Sequence, residues 1–420
     1  MSAAPLTPLE DALAALLAQA QPLPGGASVD LLQADGRVLA ADCIAPLQVP
    51  PLDNSAMDGY AVRSAEVSAA GTVLPVSQRI PAGQVGTALQ PGTVARIFTG
   101  APLPPGADAV VMQEECTVLA DGRVRFDAAA QLGQFVRRAG QDIALGSTAL
   151  QAGLRLTPAA LGLAASLGLA QLPVTRQPRV ALFSTGDELA LPGSIAPQDL
   201  PPGHIFNSNR YVLASLLQRW GCEVVDGGIL PDDRAATHAA LARAAEDCDL
   251  LVTSAGVSVG EEDHVRPVVE QLGALSLWKI AMKPGKPFAF GHLRRSGNDG
   301  NDGNTAGQAH FIGLPGNPVS SLITALMLLR PFVLALQGAS VVQPQAHWVL
   351  ADFDIRKPDS RREFLRVRRN GAGRLELFAN QNSGVLTSTV WAEGLVDNPA
   401  QTLIARGDSV RFLPFSELLT

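Results

Sequence analysis

The segment WKIAMKPGKPFAFG, residues 278–291, sets three lysines, Lys279, Lys283 and Lys286, among apolar and turn-forming residues. An unpaired ammonium is costly to bury. Lysines placed among Ile, Ala, Met and Phe therefore point to a rigid pocket for an anion. Pro284 and Pro287 stiffen the backbone, and Gly285 permits a tight turn. An ordinary β-hairpin with its lysines in water satisfies the same letters. The other loops give the anion reading its weight.

Carboxylates fall just after several strand-like runs: Asp187, Glu188, Asp232, Asp233 and Asp263. Any one of them can be a helix cap, and Asp232-Asp233 before Arg234 is the clearest candidate. Five acids rimming one crevice repel each other unless a cation neutralises them. Hard oxygens without His or Cys nearby point to Mg²⁺, held between one or two carboxylates and a substrate phosphate. The run from Ser254 through Gly256 and Ser258 to Gly260, with Gly186 before Asp187, offers backbone N–H groups to a phosphate. It is neither a Walker loop nor GxGxxG. Pro315-Gly316-Asn317-Pro318 runs into a helix start, where the dipole favours an anion. A tight strand-to-helix turn explains the same Gly and Pro. The polar loop Asp53 to Asp58 and the run Arg96 to Thr99 disclose no chemistry by themselves.

These loops need elements to hold them. Leu9–Leu17 reads as an amphipathic helix with Glu10 and Asp11 in its first turn, and a short helix follows around Leu31 to Ala41. Residues 51–140 form short β-runs split by Pro and Gly, with Asp121-Gly122 as a hairpin turn. Leu156 to Leu169 reads as a helix opened by Thr157-Pro158. From 178 to 338 the rhythm is strand, glycine loop, helix, which implies a parallel sheet covered on both faces. Asn207 or Ser208 caps one of its helices, and Gly221 ends it. Ligands of such sheets sit at the carboxyl ends of the strands. The Gly/Asn-rich stretch within Arg294 to Gln308 reads as a flexible excursion without a site. Residues 339–420 return to β-runs, a small barrel or sandwich. Residues 1–50 and 141–177 make a linking, partly helical region. The expected fold is thus multidomain α/β plus β.

A chain of 420 residues exceeds one core. The net charge of −7 and 5% aromatic content argue against nucleic-acid binding. Cys43, Cys116, Cys222 and Cys248 are scattered, which fits a reducing compartment and no zinc site. The N-terminus lacks the pattern of a signal peptide. Leu322 to Leu336 reads as too short and too broken by Arg330 and Pro331 to span a bilayer. A soluble, cytoplasmic protein is expected.

Seven collinear strings carry a resemblance: DNSAMDGYAVR (53–63), RIFTGAPLPPGADAVVMQE (96–114), RRAGQDI (137–143), LFSTGDEL (182–189), SAGVSVGEEDHV (254–265), WKIAMKPGKPFAFG (278–291) and GLPGNPVSSL (313–322). Together they resemble the molybdopterin molybdenumtransferases, the MoeA-type enzymes related to the E domain of gephyrin. The C-terminal part matches more loosely, through Arg361 to Arg366 and Gln381 to Ser383. The resemblance implies a homodimer of four-part subunits with a molybdopterin-binding α/β domain. It implies insertion of molybdate into adenylylated molybdopterin, release of AMP and dependence on Mg²⁺. It further implies contacts with the adenylyltransferase and with apo-molybdoenzymes. By motif, Asp58 and Thr99 would act from the β-rich domain across the dimer interface, supported by Asp142. Glu188, Asp232 and Asp263 would hold Mg²⁺ or position the phosphoanhydride. Lys279, Lys283 and Lys286 would bind oxyanion and phosphate oxygens. Ser320 or Ser321, Arg361 and Ser383 are further candidates for the molybdate pocket.

Ala255 departs from the family pattern, which has glycine there. A negative φ is expected at this position, since alanine would strain a left-handed backbone. Two other functions compete with the transferase on these strings. A molybdopterin adenylyltransferase shares the α/β domain, but its loop reads GGTG and it lacks the extra domains. A non-catalytic scaffold of the gephyrin kind would have lost carboxylates or lysines, and all are present.

Overall fold

The computed structural model describes residues 6–256, 264–295 and 307–420. Helix α1 (Leu9–Leu17) buries Leu9, Ala12 and Leu16, one stripe at helical spacing. Strand Gly26–Asp30 pairs antiparallel with Gln171–Thr175, and Thr148–Leu150 with Cys43–Ile44. Helix α2 (Pro158–Ser166) starts with proline in its first turn, and the Thr157 side chain accepts from Ala160 N–H. Leu39, Cys43, Leu150, Leu156, Leu172 and Val174 share one core with it. The helix expected over 31–41 is only the 3₁₀ turn Leu31–Gln33. Gly36 adopts φ +72°, and the chain beyond it is drawn into bridges from Val38 to Arg155 and from Leu39 to Val174. Tertiary pairing overrides local propensity here.

The β-rich part is one six-stranded sheet in the order Ala109–Met112, Gly59–Val62, Val94–Ile97, Val73–Ile80, Arg123–Phe126, Cys116–Val118. The Asp121-Gly122 turn closes the last hairpin, with Gly122 at φ +83°. Gly59 has a steric reason to be glycine. A Cβ there would lie 1.9 Å from the Val111 carbonyl oxygen, so the strand after Asp58 approaches its neighbour closely.

The α/β sheet holds β1 (Arg179–Thr185), β2 (Glu223–Leu230), β3 (Leu250–Ser254), β4 (Gly273–Lys279), β5 (Pro287–Arg294) and β6 (Gln308–Leu314). Their order is β2-β1-β3-β6-β5-β4. The first four are parallel, whereas β5 and β4 are added antiparallel, as a hairpin. That hairpin interrupts the strand–helix alternation. Helices α3 (Asn209–Arg219), α4 (Arg234–Asp247) and α5 (Val265–Leu272) cover the sheet. Alternate residues of β1 point to opposite cores: Val180 and Leu182 pack with Leu213, Leu217 and Trp220 of one layer. Ala181 and Phe183 pack with Leu241, Val268 and Val269 of the other. The excursion expected within 294–308 lies largely outside the described residues; its flanks, β5 and β6, are paired antiparallel.

The apolar run that Arg330 and Pro331 seemed to break is a continuous helix, Pro318–Leu336, of 19 residues. It comprises α6 (Pro318–Thr324), a π turn over Ala325–Leu329, and α7 (Arg330–Leu336). The π turn just before Pro331 absorbs its missing N–H. Although long and apolar enough to cross a membrane, this helix is 89% buried inside the protein. Burial lowers the Arg330 pKa to about 10, and its guanidinium donates to the carbonyls of Val342 and Thr420.

The C-terminal sheet runs through Arg362–Arg369, Gly394–Asn398, Ser409–Pro414 and His347–Leu350. Its outermost strand is Met282–Lys283, which belongs to the β4–β5 connection. Met282 pairs with Arg362 and Lys283 with Glu363. The lysine segment is therefore built into two sheets at once.

Candidate active site

The carboxyl ends of β1, β2, β3 and β6 frame a crevice with two lobes. One, of about 340 Å³, is lined by Gly186, Asp187, Glu188, Asp232 and His264. The other, of about 530 Å³, is lined by Asn207, Asn209, Ser254, Pro287, Pro315–Asn317 and Ser320. Thr185, Glu188, Ala255 and Gly256 line both.

The two acids before α4 have separate tasks. Asp233 Oδ1 accepts from Ala236 N–H at 2.6 Å and caps the helix. Asp232 is thereby left to the crevice, where its Oδ1 lies 3.0 Å from His264 Nε2. At the end of β1, Gly186 adopts φ +130°, and a Cβ on it would fall 2.3 Å from Glu188 Oε2. The Glu188 side chain is folded back over that glycine. Among the described residues no hydrogen bond or ion pair holds its carboxylate. Nor do three His, Cys, Asp or Glu side chains converge among the described residues into a metal-binding group. Asp263 and Ser258 lie outside the described residues.

The floor of the larger lobe is polar and buried. Asn207 Nδ2 donates to Ser184 Oγ at 2.8 Å, and Ser254 Oγ lies 3.4 Å from the same oxygen. Asn207 Oδ1 also accepts from Arg210 N–H, so Asn207, rather than Ser208, secures the start of α3. Asn209 Nδ2 donates to the Gly316 carbonyl at 2.7 Å and ties that helix to the Pro315–Asn317 turn.

Ala255 is left-handed, at φ +70°, against the expectation of a negative φ. Gly256 follows at φ +74°. The cause is pairing: Ala255 N–H donates to the Leu314 carbonyl at 3.0 Å, which turns the chain sharply across the end of β6. A Cβ on Gly316 would lie 3.2 Å from the Ala255 methyl, so the two small residues fit against each other.

The three lysines are not equivalent. Lys279 and Lys286 are exposed at the connecting end of the β4–β5 hairpin, and Lys279 pairs across the ladder with Pro287, which lines the larger lobe. Lys283 is turned to the C-terminal sheet, its Nζ 3.0 Å from Asp359 Oδ2 and 2.9 Å from Glu363 Oε1. Arg361 Nε meets the same Asp359 at 3.2 Å. Gly285, at φ +108°, packs on α6: a Cβ there would meet Thr324 Oγ1 at 2.3 Å. Ser320 is buried and lines the larger lobe, and the Ser321 and Thr324 hydroxyls are buried without partners among the described residues. The Ser383 carbonyl accepts from Val319 N–H at 3.0 Å, which brings the C-terminal sheet against the start of α6.

Asp58, Thr99 and Asp142 line neither lobe. Asp58 Oδ1 accepts from both the N–H and the hydroxyl of Thr99, each at 2.8 Å. These bonds, the backbone one first, hold its carboxyl below the usual range. Asp142 is exposed, its backbone bonded to Val49.

Sequence reasoning passed over His264 and Arg366. His264 stands in the quoted string 254–265, but only its register with Asp232 marks it. Arg366 is 1% exposed with no carboxylate partner among the described residues, and burial lowers its pKa to about 10. It donates to Ser388 Oγ and to the Phe364 and Asn382 carbonyls, beneath the turn that carries Ser383. The strand Arg362–Arg369 carries four arginines and Glu363, so composition does not single out Arg366; its burial does.

Fold and crevice together define an α/β enzyme of the molybdopterin-binding type, flanked by two β domains. The MoeA N-terminal region (domain I and II) matches residues 7–168, a probable molybdopterin binding domain matches 181–335, and the MoeA C-terminal region (domain IV) matches 349–415. A molybdopterin molybdenumtransferase of Haemophilus influenzae is 37% identical over 93% of this chain and 94% of its own length. Molybdopterin molybdenumtransferase 2 of Mycobacterium tuberculosis is 38% identical over 91% and 94%. The crystal structure of the molybdopterin biosynthesis moeA protein from Pyrococcus horikoshii OT3 superposes with TM-score 0.82 at 25% identity, covering 98% of this chain and all of that one (100%). The chain belongs to the molybdopterin molybdenumtransferase family. Its activity is that of a transferase in molybdenum cofactor biosynthesis.

Proposed function

We propose that the reaction is insertion of molybdate into adenylylated molybdopterin with release of AMP, in a Mg²⁺-dependent manner. The observation that carries this reading is the division of the crevice. Glu188 and Asp232 stand in one lobe, while the Ser254–Gly256 and Pro315–Asn317 turns, Ser320 and Pro287 shape the other. The first lobe suits a hard cation, since two carboxylates without a competing thiol leave room for waters and a substrate phosphate. Glu188 and Asp232, with Asp263, would hold Mg²⁺ there, and the bound ion would neutralise charge on the phosphoanhydride. The second lobe suits the pterin and its phosphate. Lys279 and Lys286 would meet oxyanion oxygens from the hairpin end, with Lys283, Arg361 and Ser383 behind them. The bond broken is the phosphoanhydride, and its electron pair leaves on AMP. Molybdate oxygen or water attacks, so no side-chain nucleophile is required.

Asp58, Thr99 and Asp142 fit the reaction as a contribution from a second subunit. Exposed Ile44, Leu47, Leu52 and Met57 beside them supply an apolar surface for a homodimer. The same reading divides the subunit at 1–50 with 141–177, 51–140, 178–338 and 339–420. It places the protein in the cytoplasm, serving an adenylyltransferase upstream and apo-molybdoenzymes downstream.

The test is AMP release by the purified protein given adenylylated molybdopterin, molybdate and Mg²⁺, with reconstitution of an apo-molybdoenzyme. Release that depends on neither molybdate nor Mg²⁺ would sink the reading. Mixing the Asp58→Ala and Asp232→Ala proteins tests the shared site. Random dimer exchange should restore about a quarter of wild-type activity, one intact crevice per mixed dimer. No recovery, with mixed dimers demonstrated, would place Asp58 outside the active site.

A further inference from the structure

The lysine segment and the C-terminal sheet meet around one carboxylate. Asp359 Oδ2 lies 3.0 Å from Lys283 Nζ, and Asp359 Oδ1 lies 3.2 Å from Arg361 Nε and accepts from Arg361 N–H at 3.0 Å. Asp359 Oδ2 is also 3.3 Å from Arg361 Nη2. The carboxylate therefore bridges the two cations that the reading above gives to an oxyanion. Glu363, only 9% exposed at its side chain, holds Lys283 from the other side at 2.9 Å. Lys283, Arg361, Asp359 and Glu363 sum to zero charge. A neutral cluster of this kind has no spare potential for an incoming dianion. Glu363 is buried within its strand, opposite Lys283 in the ladder, and serves as a fixed support. Asp359 differs from it: its side chain is 20% exposed, and it stands outside the strand that begins at Arg362. Burial alone would raise its carboxyl, but the bonds from Arg361 and Lys283 outweigh burial and hold it far below the usual range. It is thus ionised whenever the enzyme works.

We propose that Asp359 is an internal counter-anion, which occupies the place of the substrate oxyanion between Lys283 and Arg361 and must yield that place for molybdate to bind. Asp359 keeps two cations aligned in the free enzyme and sets how strongly an oxyanion must bind to displace it. It is a specificity-determining residue, and its role rests on the assignment of Lys283 to the oxyanion.

The experiment compares wild type, Asp359→Asn, Glu363→Gln and Lys283→Ala. Each is titrated with molybdate at saturating adenylylated molybdopterin and Mg²⁺, and separately by calorimetry with molybdate alone. Asparagine keeps an acceptor for Arg361 N–H and loses only the charge. Asp359→Asn should lower the half-saturating molybdate concentration by about fivefold, the scale of one partly exposed ion pair. Calorimetric affinity should rise in step, whatever happens to kcat. Glu363→Gln leaves the same excess positive charge but does not vacate the place between the two cations, so it should lower half-saturation by less than Asp359→Asn does. Unchanged or weaker molybdate binding in Asp359→Asn, alongside clear weakening in Lys283→Ala, would overturn the counter-anion role and leave the lysine assignment standing. Unaltered molybdate binding in Lys283→Ala would overturn both together. A melting curve establishes that each variant is folded. Should the asparagine protein be unstable, Asp359→Ser carries the same expectation, since its hydroxyl can also accept from Arg361 N–H.

Discussion

Gly285→Ala separates backbone strain from collision in the lysine hairpin. Gly285 sits at φ +108°, outside the left-handed helical well that an L-residue can visit. Forcing alanine there costs about 1–3 kcal/mol. Its methyl would also fall 2.3 Å from Thr324 Oγ1, far inside contact distance and against a helix that cannot recede. Overpacking of that kind costs about 1–3 kcal/mol more. The single variant should therefore lose about 2–6 kcal/mol of stability. Among the described residues the Thr324 hydroxyl is buried without a partner, so its removal offsets the loss of the threonine methyl and Thr324→Ala alone should be close to neutral. In the double variant the collision is relieved and the strain remains, which should restore about 1–2 kcal/mol. Urea unfolding followed by tryptophan fluorescence reads this directly, for Trp278 lies on the hairpin beside Phe288. Catalysis should fall in the single variant beyond the loss of folded protein, since Lys286 moves with its neighbour. A Gly285→Ala protein within 0.5 kcal/mol of wild type would refute the strain argument. A double variant no better than the single would refute the collision.

Three further outcomes are expected. Ala255→Gly removes a left-handed alanine and should raise stability by about 0.5–1 kcal/mol, after the added freedom of the unfolded glycine is discounted, read as a higher melting temperature. His310, half-buried against Phe290 and Phe332, has its pKa lowered to about 4, first by burial and then by His292. It stays neutral in the folded state while the unfolded chain takes up a proton, so stability is complete above pH 6.5 and falls as pH drops towards 4, by up to about 3 kcal/mol. In His310→Asn the stability curve should be flatter over that window. Thr99→Val removes one of two bonds to Asp58, so the carboxyl titration, followed by carbon NMR, should move up towards the usual range while AMP release declines.

Features governed by a few neighbouring residues were legible in the sequence. The Thr157-Pro158 start of α2, the Asp233 cap of α4 and the Asp121-Gly122 hairpin each follow from local chemistry. The crevice loops were legible too, because parallel strands bring their carboxyl ends together whatever lies between them. What escaped depends on residues far apart in the chain. Lys283 meets Asp359 and Glu363 only because the C-terminal sheet recruits the hairpin as an edge strand. The turn at 31–41 lost its helix to pairing with residues beyond 150. Ala255 is left-handed because Leu314, on a different strand, claims its N–H. Pro331 was read as a break because a π turn has no mark in composition.

The passage of the lysine segment from the α/β sheet at Lys279 and Pro287 to the C-terminal sheet at Met282–Lys283 makes the C-terminal unit a lever on the site. Backbone hydrogen bonds are short-ranged, so the edge strand cannot stay in register if the C-terminal sheet tilts away from the α/β sheet. Any such tilt must either peel the strand off or pull the hairpin along, carrying Lys286 and Pro287 with it. A ligand or partner that grips the C-terminal sheet, far from the carboxylates, would thus alter the width of the anion end of the crevice without touching it.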